Sequence, residues 1–143
     1  MAKGAGFANS VLALIFNAVT LSNIANNAAT APLTSLYVSL HTASPGAAGT
    51  QLTSEAAYTS YARVAVARTS GGWTVAANSV SPVANIVFPQ ATGGSETETY
   101  FGVGANTTGA TGTLFYYGTV TPNIVVSNGV TPELTTASAI TES

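Results

Sequence analysis

The chain has no cysteine and no aspartate, one histidine, one tryptophan and few charges of either sign. Without cysteine there are no disulfides and no thiolate metal sites. Without aspartate there is no EF-hand loop and no His–Asp catalytic dyad. Charged residues make up 6% of the 143, against roughly 25% in a typical soluble domain. They are Lys3, Arg63, Arg68, Glu55, Glu96, Glu98, Glu133 and Glu142. Three basic residues and a net charge of −2 give no electrostatic footprint for nucleic acid or anionic lipid. The apolar run Val11–Phe16 is far too short to span a bilayer. With Lys3 before it, the run only imitates a signal peptide. Neither a membrane nor a nucleic acid is expected as a partner.

What is there is small and neutral. Alanine (25), threonine (22), serine (14) and glycine (14) fill just over half the chain, yet 46% of residues are hydrophobic. That is enough apolar surface for a core in a chain of one-domain length. The surface left over is hydroxyl, amide and methyl, which is cheaper to desolvate than ions. Such a surface suits a chain packed against other subunits; drift in a GC-rich genome is the alternative source of the composition.

From about Phe7 to Ala29 the pattern is helical. Val11, Leu14, Ile15, Ala18, Leu21 and Ala25 recur at spacings of three and four, widened by Leu12 and Val19. From Pro32 the period becomes two: Leu36, Val38 and Leu40 alternate with Tyr37, Ser39 and His41. Further extended runs follow at 58–69, 73–76, 86–88, 97–103, 114–120, 124–127 and 130–140. Ser70-Gly71-Gly72 predicts a hairpin between the second and third runs. Asn128-Gly129 predicts another, with positive φ at both turn positions. The expected fold is mainly β, an antiparallel β-sandwich or jelly-roll-like domain (32–143) preceded by an N-terminal helical arm (1–31).

Chemistry-bearing residues are sparse. His41 ends a strand-like run with no G-x-S-x-G elbow and no second histidine in the chain. It reads as a histidine hydrogen-bonded at the strand end, holding the loop after it. Glu96 and Glu98 share a strand face and could form an acid/base pair acting on a sugar. Their plainer reading is a solvated edge, or a salt bridge to Arg63 or Arg68. The aromatics could form a carbohydrate platform but read as core or interface anchors. Gly71-Gly72 and Gly102-Val103-Gly104 lack the context of a nucleotide loop. No catalytic, cofactor-binding or metal-binding residue is assigned, no cofactor is expected, and the chain is not read as an enzyme. The residues expected at an interface are Val11, Leu14, Ile15, Ala18, Leu21, Arg63, Arg68 and Trp73.

Several stretches carry a resemblance: residues 36–46 (Leu-Tyr-Val-Ser-Leu-His-Thr-Ala-Ser-Pro-Gly), residues 61–69 (Tyr-Ala-Arg-Val-Ala-Val-Ala-Arg-Thr) and Gly72-Trp73-Thr74-Val75. Phe88-Pro89, residues 91–94, Phe101-Gly102-Val103-Gly104 and residues 128–132 complete the set. Together they resemble a family of small tailed-bacteriophage virion structural proteins, often labelled tail or tail-fibre proteins. The resemblance covers most of residues 32–142, implies a virion component and supplies no catalytic residues. The lack of repeats and the uncharged arm favour a capsid decoration (cement) protein. Its partners would be the major capsid protein and copies of itself, with no small-molecule ligand. A tail or tail-fibre component contacting the host is the main alternative, and a glycan-binding module using Glu96 and Glu98 a third.

Overall fold

A computed structural model describes residues 5–20, 32–108 and 113–142. It is mainly β, with antiparallel pairing and one N-terminal helix, as the periodicity predicts. The elements are α1 (Ala5–Asn17), β1 (Ser35–His41), β2 (Val64–Ala67), β3 (Trp73–Ala76), β4 (Ser79–Pro82), β5 (Ile86–Val87), β6 (Glu96–Gly104), β7 (Leu114–Val126), β8 (Glu133–Leu134) and β9 (Ile140–Thr141). They fall into two compact units. One draws on residues Met1–Ser35, Ala67–Asn85 and Thr135–Ser143, the other on Leu36–Val66 and Ile86–Leu134.

In the first unit α1 packs on the β3–β4 hairpin, to which β9 adds a third strand. The buried stripe of the helix is Ala8, Leu12 and Phe16, four residues apart. Phe16 meets Trp73 edge to face, with ring centroids 4.8 Å apart. This corrects the predicted face: Val11, Leu14, Ile15 and Ala18 lie beside that stripe and are only half-buried. A nearly uniform apolar helix has several faces that satisfy a spacing rule, and the partner surface selects one.

The helix is also shorter than the predicted 7–29. It ends at Asn17, and Ala18 turns left-handed with φ 55°. The predicted continuation through Leu21, Ala25 and the Asn26-Asn27 end lies outside the described residues. At this end the last carbonyls need donors. Arg68 supplies them: Nε donates to the Ile15 carbonyl and a terminal nitrogen to that of Leu14. Its other terminal nitrogen reaches the Leu33 carbonyl at 3.3 Å. A cation there also opposes the negative end of the helix dipole. Val19 N–H closes onto the Ala13 carbonyl at 3.1 Å.

The hairpin predicted at Ser70-Gly71-Gly72 is elsewhere. β3 pairs with β4, Trp73 opposite Pro82 and Ala76 opposite Ser79, across Ala77-Asn78. Ala77 takes φ 52°, so this turn uses an alanine that carries no turn signal in the sequence. Asn128-Gly129 does turn the chain, with Gly129 at φ 89° and Val130 N–H donating to Ser127 O. Only its second position is left-handed, which is the requirement of a type II turn. It redirects the chain so that β8 pairs with β5 rather than β7.

The second unit holds a four-stranded sheet in the order β2-β1-β6-β7. β1 and β6 are antiparallel, with Val38 opposite Val103 and Leu40 opposite Phe101. These four side chains, with Leu36, face the core with Tyr58, Ile86, Phe88 and Leu134. The predicted runs 114–120 and 124–127 are one strand, β7, which continues through a cis Thr121–Pro122 bond.

Arg68→Ala should lower stability by about 2–4 kcal/mol, because it strands helix-end carbonyls that hydrogen-bond a charged donor. Arg68→Lys should recover only part of the loss, since one ammonium cannot reproduce the planar fork. Urea unfolding of the variants checks both outcomes.

Candidate functional site

The second face of the β1–β6 pair carries polar residues, and they are buried. Ser39, His41 and Gln51 are each 0% exposed. Residues 50–56 lie against β1: Ala56 N–H donates to Leu40 O, and Glu55 bridges His41. His41 Nδ1 donates to the Thr53 carbonyl at 2.9 Å, leaving Nε2 to accept from Ser39 Oγ at 2.9 Å in the neutral ring. Burial lowers the His41 pKa, opposed by the Thr53 bond and the nearby Glu55. The predicted role, a hydrogen-bonded histidine that fixes the following loop, agrees with this geometry. The Ser–His contact has the spacing of a catalytic dyad, but both side chains are sealed from solvent.

Glycine makes this polar layer possible. A Cβ on Gly102 would stand 2.8 Å from His41 Nε2, 2.9 Å from Ser39 Oγ and 2.7 Å from Leu114 Cδ1. On Gly104 it would stand 2.2 Å from Gln51 Cδ and 2.4 Å from the Thr113 carbonyl. Gln51 spans the gap, donating to Tyr37 O (3.2 Å) and accepting from Asn106 N–H (3.1 Å). The motif Phe101-Gly102-Val103-Gly104 therefore alternates core-filling residues with space for side chains from β1 and the 50–56 segment.

Arg63 and Glu55 form a bidentate pair, Nε to Oε1 at 2.6 Å and a terminal nitrogen to Oε2 at 2.8 Å. The Arg63 side chain is 2% exposed. Its remaining terminal nitrogen donates to Asn106 O, and its pKa is raised chiefly by the Glu55 hydrogen bond. Tyr61 Oη donates to Glu55 and accepts Leu40 N–H, and burial followed by the Glu55 charge pushes its pKa up. Glu55, Tyr61, Ala62, Arg63, Thr107 and Thr108 line a pocket of about 200 Å³. Its charged groups already neutralise each other.

Glu96 and Glu98 do not meet either arginine, which corrects the salt-bridge reading. Glu96 Oε1 accepts the N–H groups of Ala57 (2.9 Å) and Tyr58 (2.8 Å). Glu98 is 0% exposed rather than solvated, and neither of its oxygens accepts a hydrogen bond. A carboxyl sealed in this way cannot reach a sugar, so the glycosidase-like pair is not assembled. Among the described residues no group of three or more His, Asp or Glu could hold a metal, and no helix is long and apolar enough to cross a membrane.

Of the predicted interface residues, Trp73 is 2% exposed, with its indole N–H lacking a partner. Arg63 and Arg68 are turned inward onto Glu55 and the helix end. Val11, Leu14, Ile15 and Ala18 are half-buried, and Leu21 lies outside the described residues. Sequence reasoning located β7 as two runs but did not place it at the edge of a sheet. The strand presents Phe115 (38% exposed), Tyr117 (40%) and Val125 (67%) along 13 residues without one charge. The alternation from Leu114 to Val120 was its signal.

A β-rich chain that turns Glu55, Arg63, Arg68, Glu96 and Glu98 inward and leaves neutral, partly aromatic edges has the character of an assembly component. Residues 11–141 match the Podophage GP4 fiber I protein gp80 family, and the chain belongs to it. It is a structural protein of the phage virion. No curated protein matches the chain.

Gly102→Ala should destabilise the fold by about 1–3 kcal/mol through overpacking. Gly104→Ala should cost at least as much, because a backbone carbonyl stands in the way. Thermal unfolding of both variants, compared with Gly46→Ala where no atom lies within 4 Å but φ is +72°, separates crowding from backbone strain.

Proposed function

We propose that this chain is a subunit of a virion fibre and reaches its place by packing neutral β surface against copies of itself and other virion proteins. The observation that carries the proposal is the match along residues 11–141, which runs through both structural units, to a family described as a fibre protein. The fibre reading, first an alternative, takes precedence over capsid decoration on that basis. The exposed edge of β7 supports it. An unpaired strand edge is normally protected by lysine, by bulges or by inward charges; β7 has no charged residue, and its protection is limited to two register shifts against β6, at Leu114–Tyr116 and at Thr119–Ile124, the second holding Pro122. Catalysis plays no part in this reading, and neither does a cofactor.

Quantitative mass spectrometry of purified virions tests the placement. A fibre subunit should be present in tens of copies at most, with antibody label on the tail or its appendages. Copy numbers on the order of hundreds, with label spread over the shell, would restore the decoration reading.

The Phe115→Ser/Tyr117→Ser double variant should keep its stability to within roughly 0.5 kcal/mol for each exposed site. It should nevertheless lose incorporation into particles in a complementation assay. Unchanged incorporation would remove β7 from the assembly surface.

A further inference from the structure

The buried carboxyl of Glu98 is the one large polar group whose role neither the polar layer nor the assembly surface explains. It sits two residues from Glu96 on β6, with Glu96 opposite Val126 and Glu98 opposite Ile124 of β7. Two carboxyls thus face a site of valine, isoleucine and the Tyr58 ring. Among the described residues no cation compensates them: Arg63 is held by Glu55, and Arg68 by helix carbonyls. The titratable groups acting in this site are Glu96 on the same strand and Tyr58 on the segment packed against it. Two carboxylates side by side in a largely buried site repel strongly, and the usual resolution is one proton between them. Glu96 already spends Oε1 on two backbone N–H groups, which suits a carboxylate acceptor. Glu98, with no donor pointing at it, suits the neutral acid.

We propose that Glu98 carries a proton, donates it in a hydrogen bond to Glu96, and so forms a proton-held clasp that keeps residues 56–61 on β6. The chain of contacts runs from the Glu98 O–H to the Glu96 carboxylate, and from Glu96 Oε1 to the Ala57 and Tyr58 amides. The neighbouring Thr59–Gly93 bridge and the Ser60–Thr92 hydroxyl pair (2.6 Å) continue the same attachment. Loss of the proton leaves two charges in one desolvated space. Relief comes when Glu96, the less buried of the two, turns to solvent, which frees the two amides.

The pH window follows from burial. Desolvation, and then Glu96, pushes the Glu98 pKa from 4.5 up to about 8. A folded-state pKa above the unfolded value means that this contribution to stability is complete below pH 4.5. It is lost progressively as the pH rises to about 8. The clasp is therefore closed at neutral pH and opens in alkali.

Carboxyl ¹³C NMR of the full chain, with Glu98→Gln and Glu96→Gln for assignment, tests the proposal. One glutamate signal should titrate near pH 8 and be missing from Glu98→Gln. Protection of the Ala57 and Tyr58 amides, corrected for intrinsic exchange, should fall about tenfold per pH unit above the midpoint in the wild type. It should stay level in Glu98→Gln, whose amide still donates to Glu96. If that variant does not fold, the wild-type titration decides alone. Titration of Glu98 in the ordinary carboxylate range overturns the proposal, as does parallel loss of protection in both proteins.

Discussion

Connections that run over buried surface bring backbone N–H and C=O groups with them, and each needs a partner. That demand organises this protein. Its strands are short, so regular ladders satisfy only part of the backbone. The rest falls to a few large polar side chains reaching across the chain. Arg68 closes the carbonyl end of α1, Gln51 ties Tyr37 to Asn106, and His41 holds Thr53. Glu96 holds the Ala57 and Tyr58 amides, while Tyr61 takes the Leu40 amide and passes its own proton to Glu55. The His41 and Gln51 contacts depend in turn on Gly102 and Gly104 carrying no side chain.

The scarcity of charge takes on a different meaning in this light. Glu55, Arg63, Arg68, Glu96 and Glu98 all serve the interior. Glu133 apart, the described outside is left largely to threonine, serine, alanine and a few aromatic and aliphatic side chains such as Phe115, Tyr117 and Val125. An isolated soluble domain normally keeps its copies apart with surface charge. A virion structural protein has the opposite task, and a surface with little to desolvate lowers the cost of packing against neighbours. The same economy leaves the buried acid of Glu98 with neither arginine beside it.

Much of the fold was legible in the sequence. The alternation in β1 located that strand and its apolar face, because a pleated strand sends every second residue to the same side, and the run 97–103 marked β6; that the polar face of β1 is buried too was not legible. His41 was legible too: without a partner set for catalysis, a strand-end histidine has a hydrogen-bonding role left to it. The helix face was not. With alanine, valine, leucine and isoleucine nearly all round α1, the 3.6-residue period allows more than one stripe, and Phe16 against Trp73 decides between them. The β3–β4 turn at Ala77-Asn78 was hidden because alanine at positive φ is imposed by the pairing on either side. Glu98 was misjudged since spacing says which face a residue takes but not whether that face is covered.

The amino-acid sequence by itself determined the class of structure, the positions of the longer strands and the neutral character of the surface. Those properties follow from composition and local periodicity, which act on residues near one another in the chain. The tertiary structure decided which residues bear the load. Arg68 reaches Leu14 and Ile15 from more than fifty positions away, and Glu96 reaches Ala57 and Tyr58 from nearly forty. Hydrogen bonding is short-ranged in space and indifferent to separation along the chain, so no local pattern records it.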